Sequence, residues 1–182
     1  MFVGNHDLYY KDKRDVSSTE FAKHIPGITV VYKTTEIEDV ALVPWLVGDE
    51  WKDIQKCKAK YMFGHFELPN FYMNAMVQMP DTGELKAEHF KNQEYVFSGH
   101  FHKRQVKNNI HYLGNAFPHN YADVDDVDRG MMILEWDKEP RYLNWHNCPK
   151  YKYVKLSTLL DKTKEIMQPK ICLLYTSPSP RD

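Results

Sequence analysis

Glu94-Tyr95-Val96-Phe97-Ser98-Gly99-His100-Phe101-His102 is the stretch on which the reading of this fold turns. Its first half is a short apolar and aromatic run of the kind that forms a buried strand, and it ends on a glycine followed by imidazoles. The plan occurs twice. "YMFGHFE", Tyr61 to Glu67, is again an apolar run ending on Gly-His. Each run comes after a polar stretch patterned as a helix, "EWKDIQKCKAK" before the first and "ELKAEHFKN" before the second. Helix, buried strand, and a chemistry-bearing residue at the strand's C-terminal end is how an open α/β sheet presents ligands.

A third loop of this type opens the chain. In "MFVGNHDLYY" the apolar stub Phe2-Val3 runs into Gly4-Asn5-His6-Asp7. Taken alone, Gly-Asn and His-Asp make ordinary turns, because Asn and Asp bond their own backbone. Three such loops together carry more. Each glycine permits a sharp turn and leaves room beside an ion. Neutral imidazole suits manganese, iron or zinc, and an Asn oxygen suits harder ions. In an extended His100-Phe101-His102 the two imidazoles would share one face, by the period of two, and Phe101 would point into the packing. Glu67, two residues after His65, would face the same side as that histidine, with a solvated carboxylate as the alternative.

Composition narrows the class. The chain has 182 residues, 42% of them hydrophobic and 14% aromatic, which suits a soluble globular domain with one sizeable core. A net charge of -1 argues against nucleic-acid binding through a broad basic surface, so a polyanion would be met locally. Cys57, Cys148 and Cys172 show no CxxC spacing, and neither a disulfide framework nor a thiolate zinc site is indicated. No apolar run reaches membrane-spanning length. These features fit a cytoplasmic protein.

Elsewhere, Ser17-Ser18-Thr19-Glu20 has capping-box spacing and predicts a short helix to about His24, stopped by Pro26-Gly27. "ITVVYK" and "DVALVPW" read as neighbouring strands across a turn at Thr34 to Glu38. Beyond His102 the pattern is one of short strands in hairpins: "KRQVK", "NIHYLGN", "GMMILEWD" and "RYLNWHN". Asp123 to Asp128 reads as a solvated acidic loop, with a cation clamp as the alternative. "YKYVKLSTLLDKTKEIM" predicts a strand and then a helix.

The ordered set GNHD, GH and GHFH, with a β-rich segment after it, resembles the calcineurin-like metallophosphoesterase superfamily. Within that superfamily it is most similar to SbcD-type DNA nucleases, in particular the nuclease subunits of the recombination endonucleases of T-even-type phages. "VGNHDLYYK", "GHFEL", "VFSGHFH", "YLGN" and "DRG" carry the likeness, which runs from Val3 to about Val154. The resemblance implies an α/β fold, the four-layer α/β/β/α sandwich, and a site for two divalent ions, usually Mn2+ in the nucleases. Asn5, His65 and His100 would hold one ion and His102 would join the other. His6 would protonate the leaving oxygen, a role suited to imidazole, and Asp7 would orient it, with a turn cap as the alternative. Lys103 and Arg104 would meet backbone phosphates, or else are surface turn charges. The implied reaction is phosphodiester hydrolysis by an exonuclease or endonuclease in phage recombination, repair and replication. The implied partners are DNA, an SbcC-type ATPase and a second copy in a homodimer, in the cytoplasm of an infected host.

The family pattern also requires Asp-x-His and Gly-Asp-x-x-Asp upstream, and only Met1, Phe2 and Val3 precede Gly4. The expectation is therefore a truncated, inactive piece of an active enzyme. Residues 1–147 would be the C-terminal part of the nuclease domain and 148–171 the start of a capping or DNA-binding region. The tail "CLLYTSPSPRD", 172–182, back-translates codon for codon to a transposase adapter used in sequencing libraries and reads as non-native. Two other readings stand beside the nuclease. One is a protein phosphatase or small-molecule phosphodiesterase of the same fold, and the other is a binding module that kept the fold without catalysis.

Overall fold

A computed structural model describes residues 1–81, 83–152, 154–157 and 171–173. The helix expected within 155–167 lies, apart from its first residues, outside them, as do residues 174–182 of the tail. The chain divides into two compact units, Met1–Met73 with Val77–Gly114, and Asn74–Met76 with Asn115–Asp182.

The first unit is built on a six-stranded sheet. Its strands are β1 (Thr35–Ile37), β2 (Val40–Val43), β3 (Tyr61–Gly64), β4 (Tyr95–Ser98), β5 (Gln105–Lys107) and β6 (Ile110–Tyr112), in the order β1-β2-β3-β4-β6-β5. The inner four, β2, β3, β4 and β6, run parallel, while β1 and β5 are antiparallel edges. The class is α/β with a mostly parallel sheet, as the Gly-His runs predict. Register decides which side chains go where. Ala41, Met62, Val96 and Ile110 lie in one row and Val43, Tyr112 and the ends of β3 and β4 in the next. These side chains are buried with Ile54, Phe66, Leu68, Phe71, Phe90 and Phe101 in a single core. On the opposite face Tyr61 stacks on Tyr95 and Phe63 on Phe97, at ring separations of 5.8 and 5.2 Å, and Phe97 meets His111 at 5.2 Å.

The helices are shorter than the polar patterns predict. "EWKDIQKCKAK" gives only α1 (Trp51–Ile54), after a 3-10 turn at Gly48–Glu50. The segment just beyond α1 explains its early end. Cys57 and Ala59 are buried with exposed Lys58 between them, a period of two that pulls the chain into an extended crossover. "ELKAEHFKN" reduces to a 3-10 turn at Ala87–Phe90, anchored by buried Phe90. Glu20–His24 is also 3-10, and the capping box does not form. Glu20 instead accepts from Tyr32 Oη at 2.7 Å and Lys23 Nζ at 2.5 Å, while Ser17 Oγ turns to Thr19.

"ITVVYK" is not a strand beside "DVALVPW". The hairpin partner of β2 is β1, turned at Glu38, which takes a φ of 52°. Val31 instead bridges Phe2 in parallel, and Val3 O accepts from Trp45 N–H at 2.7 Å. The opening stub is thereby held at the C-terminal end of β2.

In the second unit β7 (Gly130–Ile133) pairs antiparallel with β8 (Arg141–Asn144), and β9 (Lys150–Lys152) pairs in parallel with β10 (Ile171–Leu173). Two residues of the tail, Cys172 and Leu173, thus belong to a short strand. The acidic stretch is not simply solvated. Asp123 and Asp126 turn in on Arg129, 1% exposed, each at 2.9 Å from its Nη2. Among the described residues no helix is long and apolar enough to cross a membrane.

Candidate functional site

Because β2, β3 and β4 are parallel, the residues that come after them emerge at one edge of the sheet: Trp45 after β2, His65 after β3 and His100 after β4. The turn Asn5–Asp7, after the stub that pairs beside Trp45, joins them. Asn5 and His65, far apart in sequence, make a 2.8 Å contact between Oδ1 and Nε2. The His65 and His100 rings lie 5.1 Å apart, and Trp45 packs against both, at 6.1 and 5.1 Å.

The glycines serve this packing directly. A Cβ on Gly4 would lie 3.2 Å from His65 Cε1, and one on Gly99 would lie 3.0 Å from its Nδ1. The room expected beside an ion is taken by the His65 ring, held between two glycines. Gly99 N–H also donates to Gly64 O at 3.0 Å, which locks the two Gly-His turns together.

Burial lowers the pKa of His65 to about 4, helped by the neighbouring His100 and His6 and opposed by Asp7. His100 is also lowered to about 4 by burial, with His6, His102 and Lys11 adding to the effect. Both rings are therefore neutral near pH 7 and offer nitrogen lone pairs. His100 Nε2 lies 3.7 Å from Glu67 Oε1.

His100-Phe101-His102 is not extended. His100 has a φ of 80°, a left-handed conformation uncommon for a residue with a side chain. The bond from Gly99 on one side and that from His102 N–H to Met73 O, 2.7 Å, on the other hold it there. Phe101 does point into the core, 2% exposed and stacked on Tyr112 at 4.7 Å. The two imidazoles consequently do not share a face by strand periodicity. The structure brings together Asn5, His65 and His100. His102 is near enough to bear on His100, and among the described residues no group of three His, Cys, Asp or Glu is arranged to hold an ion.

His6 is exposed at the turn. Asp7 Oδ2 accepts from Gly4 N–H at 2.8 Å, and Ser18 Oγ donates to Oδ1 at 3.4 Å, so this carboxylate braces the turn that carries His6. Lys103 Nζ sits 5.8 Å from the Tyr72 ring centre, and Arg104 is half-buried. Gly114, of "YLGN", has a φ of 69°, and a Cβ there would come within 2.6 Å of Arg104 N.

Two residues of this region escape a motif reading, Trp45 and Arg14. Trp45 is marked in the sequence only by its place, at the end of a third parallel strand. Arg14, 9% exposed at its side chain, donates to Trp45 O at 2.5 Å and to both oxygens of Glu50, and so ties the loop after Asp7 to the loop after β2.

No protein-family model and no solved structure matches the chain. It is 28% identical over 165 residues to the protein named Exonuclease subunit 1 of Enterobacteria phage T4, an alignment covering 83% of this chain and 48% of that protein. The chain thus spans about half the length of the relative it matches, and what it shares with it is distant similarity to a phage nuclease subunit.

Proposed function

We propose that this chain is part of a metal-dependent DNA nuclease of the SbcD type, within the calcineurin-like metallophosphoesterases, that hydrolyses phosphodiester bonds. The observation that carries the reading is the meeting of Asn5, His65 and His100 at the C-terminal ends of parallel strands. The similarity to a phage exonuclease subunit supports it. The sheet would then be half of a four-layer sandwich, its Tyr61, Phe63, Tyr95 and Phe97 face packing on a second sheet.

The types of donor atom in this set suit a divalent ion, with an amide oxygen beside imidazole nitrogens. Asn5 Oδ1 and His65 Nε2 face one another at 2.8 Å, and a proton shared between two such atoms is what a divalent cation replaces. Asn5, His65 and His100 would hold one Mn2+, and His102 would join a second. Bound, the pair would supply an activated water and neutralise charge on the phosphate. The carboxylates that such a pair needs are not in this donor set.

His6 would give its proton to the departing oxygen, on a turn held in shape by Asp7. Lys103 and Arg104 would meet the DNA backbone. An SbcC-type ATPase and a second copy of the subunit would complete the assembly, acting in recombination, repair and replication in the host cytoplasm.

The test separates ion holders from the proton donor. On this chain, manganese binding measured by calorimetry should be weak and should be lost in His100→Ala and His65→Ala but kept in His6→Ala. On the longer nuclease, His6→Ala should lower single-turnover cleavage of end-labelled DNA roughly a hundredfold to ten-thousandfold with metal content unchanged. Manganese binding indifferent to His65 and His100 would overturn the metal assignment. Turnover of a phosphopeptide in place of DNA would move the chain to the phosphatases.

A further inference from the structure

We propose that the cavity beside the histidine cluster is a pocket for one unpaired nucleobase of the bound DNA strand; this rests on the nuclease reading and goes further by assigning what the strand presents there. The cavity, about 220 Å³, is lined by Trp45, Trp51, His65, Phe66, Glu67 and Glu84 among others. Trp45 and His65 belong to the cluster itself, so the cavity opens next to where a scissile phosphate would sit.

Its chemistry suits a flat heterocycle and not a phosphate. Two indoles and a phenyl ring line it, and aromatic surfaces are what unpaired bases stack on. No lysine or arginine is among the described residues that line it, whereas two carboxylates are. Those carboxylates would repel phosphate and accept N–H groups from a base edge. The platform is also set in advance. Trp51 is half-buried, stacks on His89 at 5.2 Å and 24°, and donates its Nε1–H to Glu84 Oε2 at 2.7 Å. Trp45 donates its Nε1–H to Lys11 O at 3.2 Å. Side chains already held in place lose little freedom when a ligand arrives. The Glu84 carboxylate has acceptor capacity beyond the one indole bond. It therefore favours cytosine over thymine, because cytosine presents an amino group at the position where thymine presents a carbonyl oxygen that a carboxylate repels. The space is large enough for one base, which would enter from a strand that is single or frayed at that point.

The experiment uses the whole 182-residue chain in EDTA and fluorescence anisotropy with three short labelled strands: oligo-dC, oligo-dT and an abasic phosphodiester of the same length. Oligo-dC should bind roughly tenfold more tightly than the abasic strand, with a several-fold preference over oligo-dT. Trp51→Ala should shrink the gap between oligo-dC and abasic strand, and Trp51→Phe should keep most of it. Glu84→Gln, an exposed and conservative change, should erase the preference for dC over dT while leaving the abasic gap in place. Equal binding of oligo-dC and abasic strand, or a gap untouched in both Trp51 variants, overturns the pocket and leaves the nuclease reading standing. Failure of all three strands to bind counts against DNA as the ligand and removes the pocket with it.

Discussion

His65 and His100 stay neutral through the range in which a free imidazole takes its proton, because each ring has given up water for aromatic neighbours and for other histidines. This has a sign that stability measurements can check. Both folded pKa values are lowered from 6.5 to about 4, so between those pH values the unfolded chain binds protons that the folded chain refuses. Their contribution to stability is complete above pH 6.5, falls as the pH drops through that window, and levels off below about 4. In EDTA, the urea midpoint should decline over this range, and His100→Gln should decline less steeply. Identical slopes for wild type and variant would contradict the burial of these rings. For the proposed metal site the same neutrality would matter, since an arriving cation would meet lone pairs instead of positive charge.

Loops rather than long helices place the cluster, and the Arg14 clasp shows how. Its guanidinium spans Trp45 O and both Glu50 oxygens, while Glu50 Oε2 also accepts from Val47 N–H at 3.0 Å. Arg14→Ala would leave a half-buried carboxylate and a carbonyl without this donor, at a cost of about 1–3 kcal/mol. Arg14→Lys should recover only part, because an ammonium cannot reproduce the planar fork. Urea unfolding of the three proteins measures the loss; equal stability would show that the clasp contributes nothing. The elements legible in the sequence are those with a dense local signal. β3 and β4, each ending on Gly-His, stand where the apolar runs put them, and the parallel class agrees with the two helix-strand repeats. The helices are short because one buried anchor, Ile54 or Phe90, cannot offset the cost of nucleating a long helix. The pairing of Phe2 with Val31 is illegible because it joins two weak segments by a single bridge. The turn at His100 is illegible too: a left-handed histidine depends on bonds to Gly64 and Met73, which sequence spacing does not reveal.

Charge is a property of the whole chain, and it sets how salt should act on the proposed DNA binding. Lysine and arginine total 24 against 25 aspartates and glutamates, so no general positive field draws a polyanion to this protein. Binding would depend on a few cations, Lys103 and Arg104 next to His102 in the sequence and Lys11, which already bears on His100. Each phosphate neutralised on a single strand contributes about -0.7 to the slope of log affinity against log salt, so two or three contacts give a slope of about -2. Between about 50 and 200 mM salt the affinity should then fall roughly tenfold to twentyfold, where a protein with eight or so contacts would lose a thousandfold or more. Lys103→Ala should make the slope shallower by somewhat less than one. A stacked base adds affinity without releasing counterions, so the residual binding at high salt should keep the preference for oligo-dC over the abasic strand. Titrations of both strands across this salt range measure slope and preference together. A slope steeper than about -5 would mean that a basic surface larger than these side chains is engaged, and the local mode of recognition argued from the strand ends would fail.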